Sequence, residues 1–358
     1  LNKLKEEALT LLTSLIETPS ISREEDQTAH IISRYFSQKN IRWERTGNNI
    51  WAKNNHFNPA LPTILLNSHH DTVKPNQGYT RDPFKATVED GKLYGLGSND
   101  AGGCLVSLIA AFAHFYEKAL PYNLVLAATA EEEISGKNGI ESLLPTLPPF
   151  ELAIVGEPTL LQMAVAEKGL VVVDALVKGK AGHAARDEGV NAIYLALDDL
   201  LVIRDYEFQR ASDYLGKNKV TATIIQAGSQ HNVVPDTCSY TLDVRVTDAY
   251  TLEEALSELK QALKAELTPR SLRLNSSRID PAHKIIQLAE KLGITQYGSP
   301  TLSDQALIPY PSVKIGPGDS ARSHTPDEFI FVHEVDEGID AYINLLNHYF
   351  ELNETSKN

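Results

Sequence analysis

The residues best suited to chemistry in this chain are histidines and carboxylates that close apolar runs. Thr63-Ile64-Leu65-Leu66 leads directly into Asn67-Ser68-His69-His70-Asp71-Thr72-Val73. In an extended strand, residues i and i+2 project to one side, so His69 and Asp71 share a face where the chain leaves a sheet. An imidazole steadied by a nearby carboxylate is the usual arrangement of a metal-binding histidine. Other apolar runs end similarly. Asn123 to Thr129 reaches Glu131-Glu132-Glu133, Leu152 to Val155 reaches Glu157, and Val313 to Ile315 passes through Gly316-Pro317-Gly318 towards His324. Open α/β sheets gather their ligands at the carboxyl ends of strands, so these runs predict one shared site.

A further ligand comes from the glycine-rich stretch Gly91 to Gly103, which is too rich in glycine for the interior of an element. A helix is predicted from Cys104 to Tyr116, which leaves Asp100 on a tight turn just before it. The GxGxxG spacing is absent and no Gly-Lys-Ser/Thr follows, which argues against a dinucleotide or phosphate loop. His69, Asp100, Glu133, Glu157 and His324 then form a mixed imidazole and carboxylate set, which suits Zn²⁺ and, less well, Mn²⁺ or Co²⁺. Five ligands exceed the roughly three that one catalytic zinc takes from protein. They fit two ions if one carboxylate bridges, and such a pair lowers the pKa of a bound water towards ~7. Hydrolysis also needs a base. Glu132 is placed for that role, since neighbours at a strand end point to opposite sides. Taken alone, a Glu triplet reads as a solvated face and a single His-x-Asp is a weak signal. The triplet here follows the buried-strand pattern Leu124-Val125-Leu126-Ala127-Ala128, and surface charge rarely follows such a run directly.

These residues need a scaffold, and the chain has 358 residues, enough for two domains with a buried core. Apolar content of 42% is that of a globular protein. No apolar run reaches the ~18 residues of a membrane span, and the charged, amphipathic start does not resemble a secretory signal. The net charge of -14 disfavours nucleic acid. Two cysteines, Cys104 and Cys238, make no disulfide framework, and the cytoplasm is the expected location. Helices are predicted from Lys3 to Ile16 and Glu24 to Lys39 by their apolar spacing. From Lys168 the pattern changes: strand Gly169 to Val177, helix Asn191 to Arg204, strands Lys219 to Ala227 and Thr237 to Val246, a helix from Leu252 to Leu267, and a last strand from Ser271 to Ser276. This β-α-β-β-α-β order is that of a ferredoxin-like sheet. The expected architecture is α/β: an α/β/α catalytic domain with a mixed sheet, residues 1–167 and 279–358, interrupted by a smaller four-stranded α+β domain, residues 168–278. Helices from Pro281 to Leu292 and Val335 to Phe350 close the chain, and the tail Asn353 to Asn358 is expected to fray.

Taken together, Ser68-His69-His70-Asp71-Thr72-Val73, Gly95-Leu96-Gly97-Ser98-Asn99-Asp100, Ala130-Glu131-Glu132-Glu133-Ile134-Ser135, Val155-Gly156-Glu157-Pro158-Thr159 and the late His324 resemble the motifs of the co-catalytic zinc aminoacylase and peptidase family. The resemblance covers nearly the whole chain. It implies that His69, Asp100 and Glu157 bind one zinc and that Asp100, Glu133 and His324 bind the other, with Asp100 as the bridge. It makes Glu132 the general base, Asp71 the carboxylate behind His69, and the inserted domain a lid through which a homodimer forms. Gly179-Lys180-Ala181-Gly182-His183-Ala184-Ala185 resembles the lid motif whose histidine helps hold the oxyanion, although His183 could equally cap a turn. Asn232, within Gln230 to Pro235, and Arg245 resemble positions that grip a substrate carboxylate, a task suited to the bidentate guanidinium. Arg245 on an alternating strand could also be merely solvent-facing. Gly316 and Gly318 would present backbone near the substrate, and Lys168 would meet the acyl or carboxylate end or mark the hinge.

The Ile154 to Thr159 and Gly189 to Ile193 segments look most like the acetylornithine deacetylase branch of the family. That implies removal of an acyl group from the α-nitrogen of an N-acyl amino acid, N-acetyl-L-ornithine foremost, in arginine biosynthesis. Desuccinylation of succinyl-ornithine or succinyl-diaminopimelate, a dipeptidase or aminopeptidase activity, and a non-catalytic binding protein are the alternatives. Ser68 stands where the family often has glycine, and Gly102 stands where it often has lysine.

Overall fold

The computed structural model describes residues 1–354, and the end of the tail discussed above, residues 355–358, lies outside the described residues. The chain forms two compact units. The first comprises residues 1–165, 279–297 and 303–358, and the second comprises 166–278 and 298–302. Ala166 and Glu167 go with the second unit because they pair with Arg278 and Ser277. Gly298 goes with it because its Cα packs against the backbone of Tyr214, where a Cβ would stand 2.3 Å from the carbonyl oxygen.

The first unit is built on a mixed sheet. Its strands run in the order Trp43–Thr46, Asn49–Lys53, Asn123–Thr129, Thr63–His69, Leu152–Val155, Ser312–Lys314 and Met163–Glu167. The inner pairs are parallel: Thr63–His69 lies between Asn123–Thr129 and Leu152–Val155, and Ser312–Lys314 runs parallel to Leu152–Val155. All four of these strands therefore deliver their carboxyl ends to one edge, where ligands bind. The apolar runs are continuous because both sheet faces are covered. Ile64, Leu66, Leu124, Leu126 and Ile154 face a large core with the helices Asn2–Ile16, Asp26–Gln38, Gly103–Phe115 and Val332–Glu354. Leu65, Val125, Ala127, Ala153 and Val155 face a second core containing Ile140, Leu143, Leu147, Phe150 and Ile308. Among the described residues no helix is long and apolar enough to cross a membrane.

The second unit is an α+β fold with a four-stranded antiparallel sheet in the order Lys219–Ala227, Thr237–Val246, Gly169–Lys178, Glu266–Pro269. Val171, Val173, Ala175 and Val177 alternate inwards against the helices Ala192–Arg204 and Leu252–Ala262. Thr251 and Glu254 form a reciprocal capping box at the start of the second helix. Here the structure departs from the sequence reading. The helix expected to reach Leu267 stops at Ala262, and the last strand is Glu266–Pro269 rather than Ser271 to Ser276. Leu263 turns extended at ψ 149°, and Leu267 fills the core from a strand opposite Ala175. A leucine every four residues fits both helix and strand burial, so spacing alone ran the helix too far. The helix expected from Pro281 to Leu292 is likewise shorter, Lys284–Lys291, and its N-cap is the His283 side chain.

Candidate metal centre

His69 closes its strand fully enclosed, at 1% exposure. Its Nε2 lies 3.2 Å from Asp100 Oδ1 and 3.8 Å from both Glu132 Oε2 and Glu157 Oε1. Asp100 turns its other oxygen, Oδ2, to His324 Nε2 at 3.6 Å, and His324 Nε2 is 3.0 Å from Glu133 Oε2. Asp100 thus offers one oxygen to each histidine. Ligand atoms of His69, Asp100 and Glu133 fall within 4.8 Å of one another, and so do those of His69, Glu132 and Glu157. Glu132 therefore enters a possible ligand group beside Glu157. Glu157 Oε1 is buried with no hydrogen-bond partner, an arrangement that leaves a carboxylate oxygen uncompensated. Carboxylate and imidazole donors crowded around such an orphan fit divalent cations, and the division about Asp100 leaves places for two.

The turns that aim these groups are specific. The Glu triplet is not the extended strand end expected from sequence. Glu131 adopts a left-handed conformation, φ 55°, and Glu132–Ile134 is a 3-10 turn. The Asp71 carboxylate anchors that turn: Oδ1 accepts the Glu132 N–H at 3.0 Å and Oδ2 the Glu133 N–H at 3.2 Å, with the Ser22 hydroxyl donating at 2.6 Å. Asp71 Oδ1 is 3.4 Å from His69 Nδ1, but the main-chain oxygen of Asp71 is nearer, at 3.0 Å. One carboxylate thus docks both glutamates and flanks the histidine. Glu328 performs a similar task for Asp100, since its Oε1 accepts the N–H groups of Asn99 and Asp100, each at 2.9 Å. The Asp100–Ala101 peptide is cis, and His324 sits at φ 60°.

Charge dominates the site. Burial pushes the Glu157 carboxyl up to about 8, against the pull of His69. Burial likewise raises Glu132 well above its usual range, with Glu157, Glu133 and Asp304 adding repulsion. Burial would lower His69, but Glu132, Asp100, Asp71 and Glu157 together hold it far above the ordinary imidazole value. His324 is pushed up to about 9, chiefly by its bond to Glu133. Asp100 stays below the usual carboxylate range despite burial because His69 bonds to it. Burial thus favours protons on these carboxyls, and bound dications would displace them while offsetting the negative charge.

The remaining residues singled out from sequence fall in two places. Gly316 and Gly318 are in the first unit, where their carbonyls accept the N–H groups of Leu161 and Leu160 and hold the turn after Glu157. His183, Asn232, Arg245 and Lys168 belong to the second unit. His183 pairs with Val233, and the Asn232 carbonyl accepts the Ala184 N–H, so the two segments adjoin. Arg245 is held by both oxygens of Asp243, at 2.8 and 3.0 Å. Lys168 donates to the Lys217 carbonyl at 3.1 Å. Burial, then Lys219 and Arg245, depress its pKa. Sequence reasoning missed Ser22, Glu328 and Asp304, which hold the ligand-bearing segments rather than stand among them.

Gly102, where lysine is frequent in the family resembled, has a packing reason. A Cβ there would lie 2.4 Å from the Gly97 carbonyl oxygen and 2.7 Å from Leu12 Cδ1. Gly102→Ala is therefore expected to cost ~1–3 kcal/mol by overpacking and to displace the Asp100 turn. Denaturant unfolding and zinc retention against a chelator check this, and a variant equal to wild type in both would show that the turn yields freely.

A model of Peptidase family M20/M25/M40 matches residues 65–348. Acetylornithine deacetylase of Klebsiella pneumoniae (strain 342) is 28% identical over 379 residues, covering 95% of this chain and 97% of that protein. Acetylornithine deacetylase of Pectobacterium carotovorum subsp. carotovorum (strain PC1) is 29% identical over 381 residues, covering 95% and 98%. Among solved structures, aminopeptidase PepT from Bacillus cereus superposes with a TM-score of 0.76 at 19% identity, covering 95% of this chain and 97% of that one. Bacillus subtilis YXEP protein, a dinuclear metal binding peptidase, does so with 0.76 at 17% identity, covering 98% and 99%. These structural likenesses concern the fold: a catalytic domain with a mixed sheet and an inserted lid domain. With the family match spanning most of its length, the chain belongs to peptidase family M20/M25/M40 and is a hydrolase of the metallopeptidase and amidohydrolase fold.

Proposed function

We propose that this enzyme is a di-zinc amide hydrolase that removes the acyl group from the α-nitrogen of an N-acyl amino acid, N-acetyl-L-ornithine foremost, in arginine biosynthesis in the cytoplasm. The observation that carries the chemistry is Asp100 set between His69 and His324 with Glu132 and Glu157 against the same imidazole. His69, Asp100 and Glu157 would hold one ion, and Asp100, Glu133 and His324 the other, with Co²⁺ or Mn²⁺ able to replace zinc. The substrate rests on the likeness to acetylornithine deacetylases over 95% of the chain.

When bound, the two cations supply Lewis-acid polarisation and an acidic water. Glu132, fixed through its N–H on Asp71, takes the water proton and returns it to the leaving nitrogen. His183 Nδ1 accepts the Ala185 N–H at 3.1 Å, so the neutral ring carries its proton on Nε2, the donor an oxyanion needs. Asn232 and Arg245 bind the substrate carboxylate, with Asp243 presetting the guanidinium plane. Gly316 and Gly318 line the approach. One observation favours a second reading, desuccinylation: Arg245 stands opposite Lys219 in the sheet, and Lys168 immediately precedes the strand whose Leu170 stands opposite Arg245. Such a cluster suits the second carboxylate of a succinyl group.

Homodimerisation through the lid domain is also proposed. Lys219–Ala227 is an edge strand, and Ile193, Tyr194 (71% exposed), Leu197 and Leu201 form an open apolar stripe on the helix Ala192–Arg204. Exposed edges and apolar stripes of this kind are covered in symmetric assemblies.

Amine release from N-acetyl-ornithine, N-succinyl-ornithine, N-succinyl-diaminopimelate and a dipeptide panel is expected to be fastest with N-acetyl-ornithine and to vanish with chelator. Faster dipeptide cleavage would assign the enzyme to the peptidases instead. Glu132→Ala is expected to keep its zinc while losing at least ~10²-fold in kcat, and an active variant would remove Glu132 from the base role. Sedimentation should find a dimer that Leu197→Glu with Leu201→Glu converts to monomer, whereas a wild-type monomer would count against the lid interface.

A further inference from the structure

Asp304 lies outside the ligand set, yet its carboxylate is buried at 4% exposure beside the acidic centre. It opens the 3-10 turn Asp304–Leu307, where the Ser303 side chain accepts the Gln305 N–H. A single oxygen, Oδ2, accepts two hydrogen bonds, from Asn67 Nδ2 and from the Thr129 hydroxyl, each at 2.8 Å. The donors are not arbitrary. Asn67 precedes His69 by two residues on the same strand and therefore lies on the same face. Thr129 is the residue directly opposite His69 on the neighbouring parallel strand. Three residues later the same chain supplies Glu132. We propose that Asp304 is a positioning residue that ties the end of the His69 strand to its parallel neighbour Asn123–Thr129 and so fixes the His69 imidazole beside Asp100 and Glu157.

This rests on the reading of the site as a metal centre. Burial lifts the Asp304 carboxyl to about 6, so at neutral pH it accepts both bonds as an anion. Charge-assisted bonds of this kind are about twice as strong as neutral ones. They also orient the donors. Asn67 Oδ1 is buried without a partner, and reversing that amide would set oxygen against carboxylate. An apolar filler would avoid the desolvation that a buried acid suffers near Asp71 and Glu132, but it could accept neither bond. What the shared acceptor oxygen adds is stiffness at the point where the sheet hands over to the site. The backbone pairing of the two strands ends on the His70 N–H to Thr129 carbonyl bond, and the Asp304 carboxylate adds a side-chain tie at that same point.

Three variants separate this role from general support: Asp304→Ala, Asp304→Asn and Thr129→Val. Each is zinc-loaded and titrated with chelator, and its kcat and KM are measured on the best substrate of the panel. Asp304→Ala is expected to release zinc at about tenfold lower chelator and to lose about tenfold or more in kcat with KM nearly unchanged, as when the outer partner of a metal ligand is removed. Asp304→Asn keeps an oxygen able to accept both bonds and is expected to recover wild-type values to within about threefold. Wild-type zinc retention and kcat in Asp304→Ala would overturn the proposal, and so would an Asp304→Asn as impaired as Asp304→Ala. Should Asp304→Ala fail to fold, Thr129→Val decides on the same two scales: weaker zinc retention supports the tie and unchanged retention rejects it. A wild-type protein that holds no zinc would instead defeat the reading of the site itself, before any variant is compared.

Discussion

The site depends on mutual repulsion held in place. Asp71, Asp100, Glu132, Glu133, Glu157 and Asp304 converge on two imidazoles, one of them, His69, fully enclosed and the other, His324, open to water. Each is buried more deeply than an isolated carboxylate tolerates, and the histidines are too few to neutralise them. Such a cluster is unfavourable for a protein that only has to fold. Bound dications would make it favourable, because their charge would be distributed over groups already gathered.

Rigidity at the strand ends makes that gathering possible. Parallel strands covered on both faces cannot shift register without exposing Ile64, Leu65 and Leu66 to the wrong side, so His69 and Glu157 are delivered at fixed heights. The groups that come from turns need their own anchors. Asp71 takes the N–H groups of Glu132 and Glu133, and Glu328 takes those of Asn99 and Asp100. Each anchor is itself an acid, which satisfies backbone donors at the cost of adding negative charge. Packing and electrostatics therefore pull in opposite directions throughout the site, an imbalance that bound cations would relieve.

What could be read in the sequence follows from distance along the chain. His69, Glu157 and the Glu triplet were legible because an uninterrupted apolar run points straight at each of them. Asp100 was legible because glycines surround it. Asp304 and Glu328 were not, since Asn67 and Asn99 lie 237 and 229 residues away from them and nothing local distinguishes an anchoring acid from a surface one. The 3-10 turn at Glu132 was hidden for a different reason: the left-handed Glu131 that starts it is not a glycine or asparagine, so the usual marker of positive φ is missing. In the inserted domain the order of elements was readable from alternation. The end of its second helix was not, because Leu263 and Leu267 continue a helical spacing after the chain has become extended.

The most direct test is the number of ions that the assembled cluster holds. Native mass spectrometry of the zinc-loaded protein should show two zinc ions per chain, falling to one or none in Asp100→Ala, where the carboxylate shared by both histidines is gone. A wild-type protein that retains one ion or none, or an Asp100→Ala variant that still carries two, would contradict a centre built around that shared carboxylate.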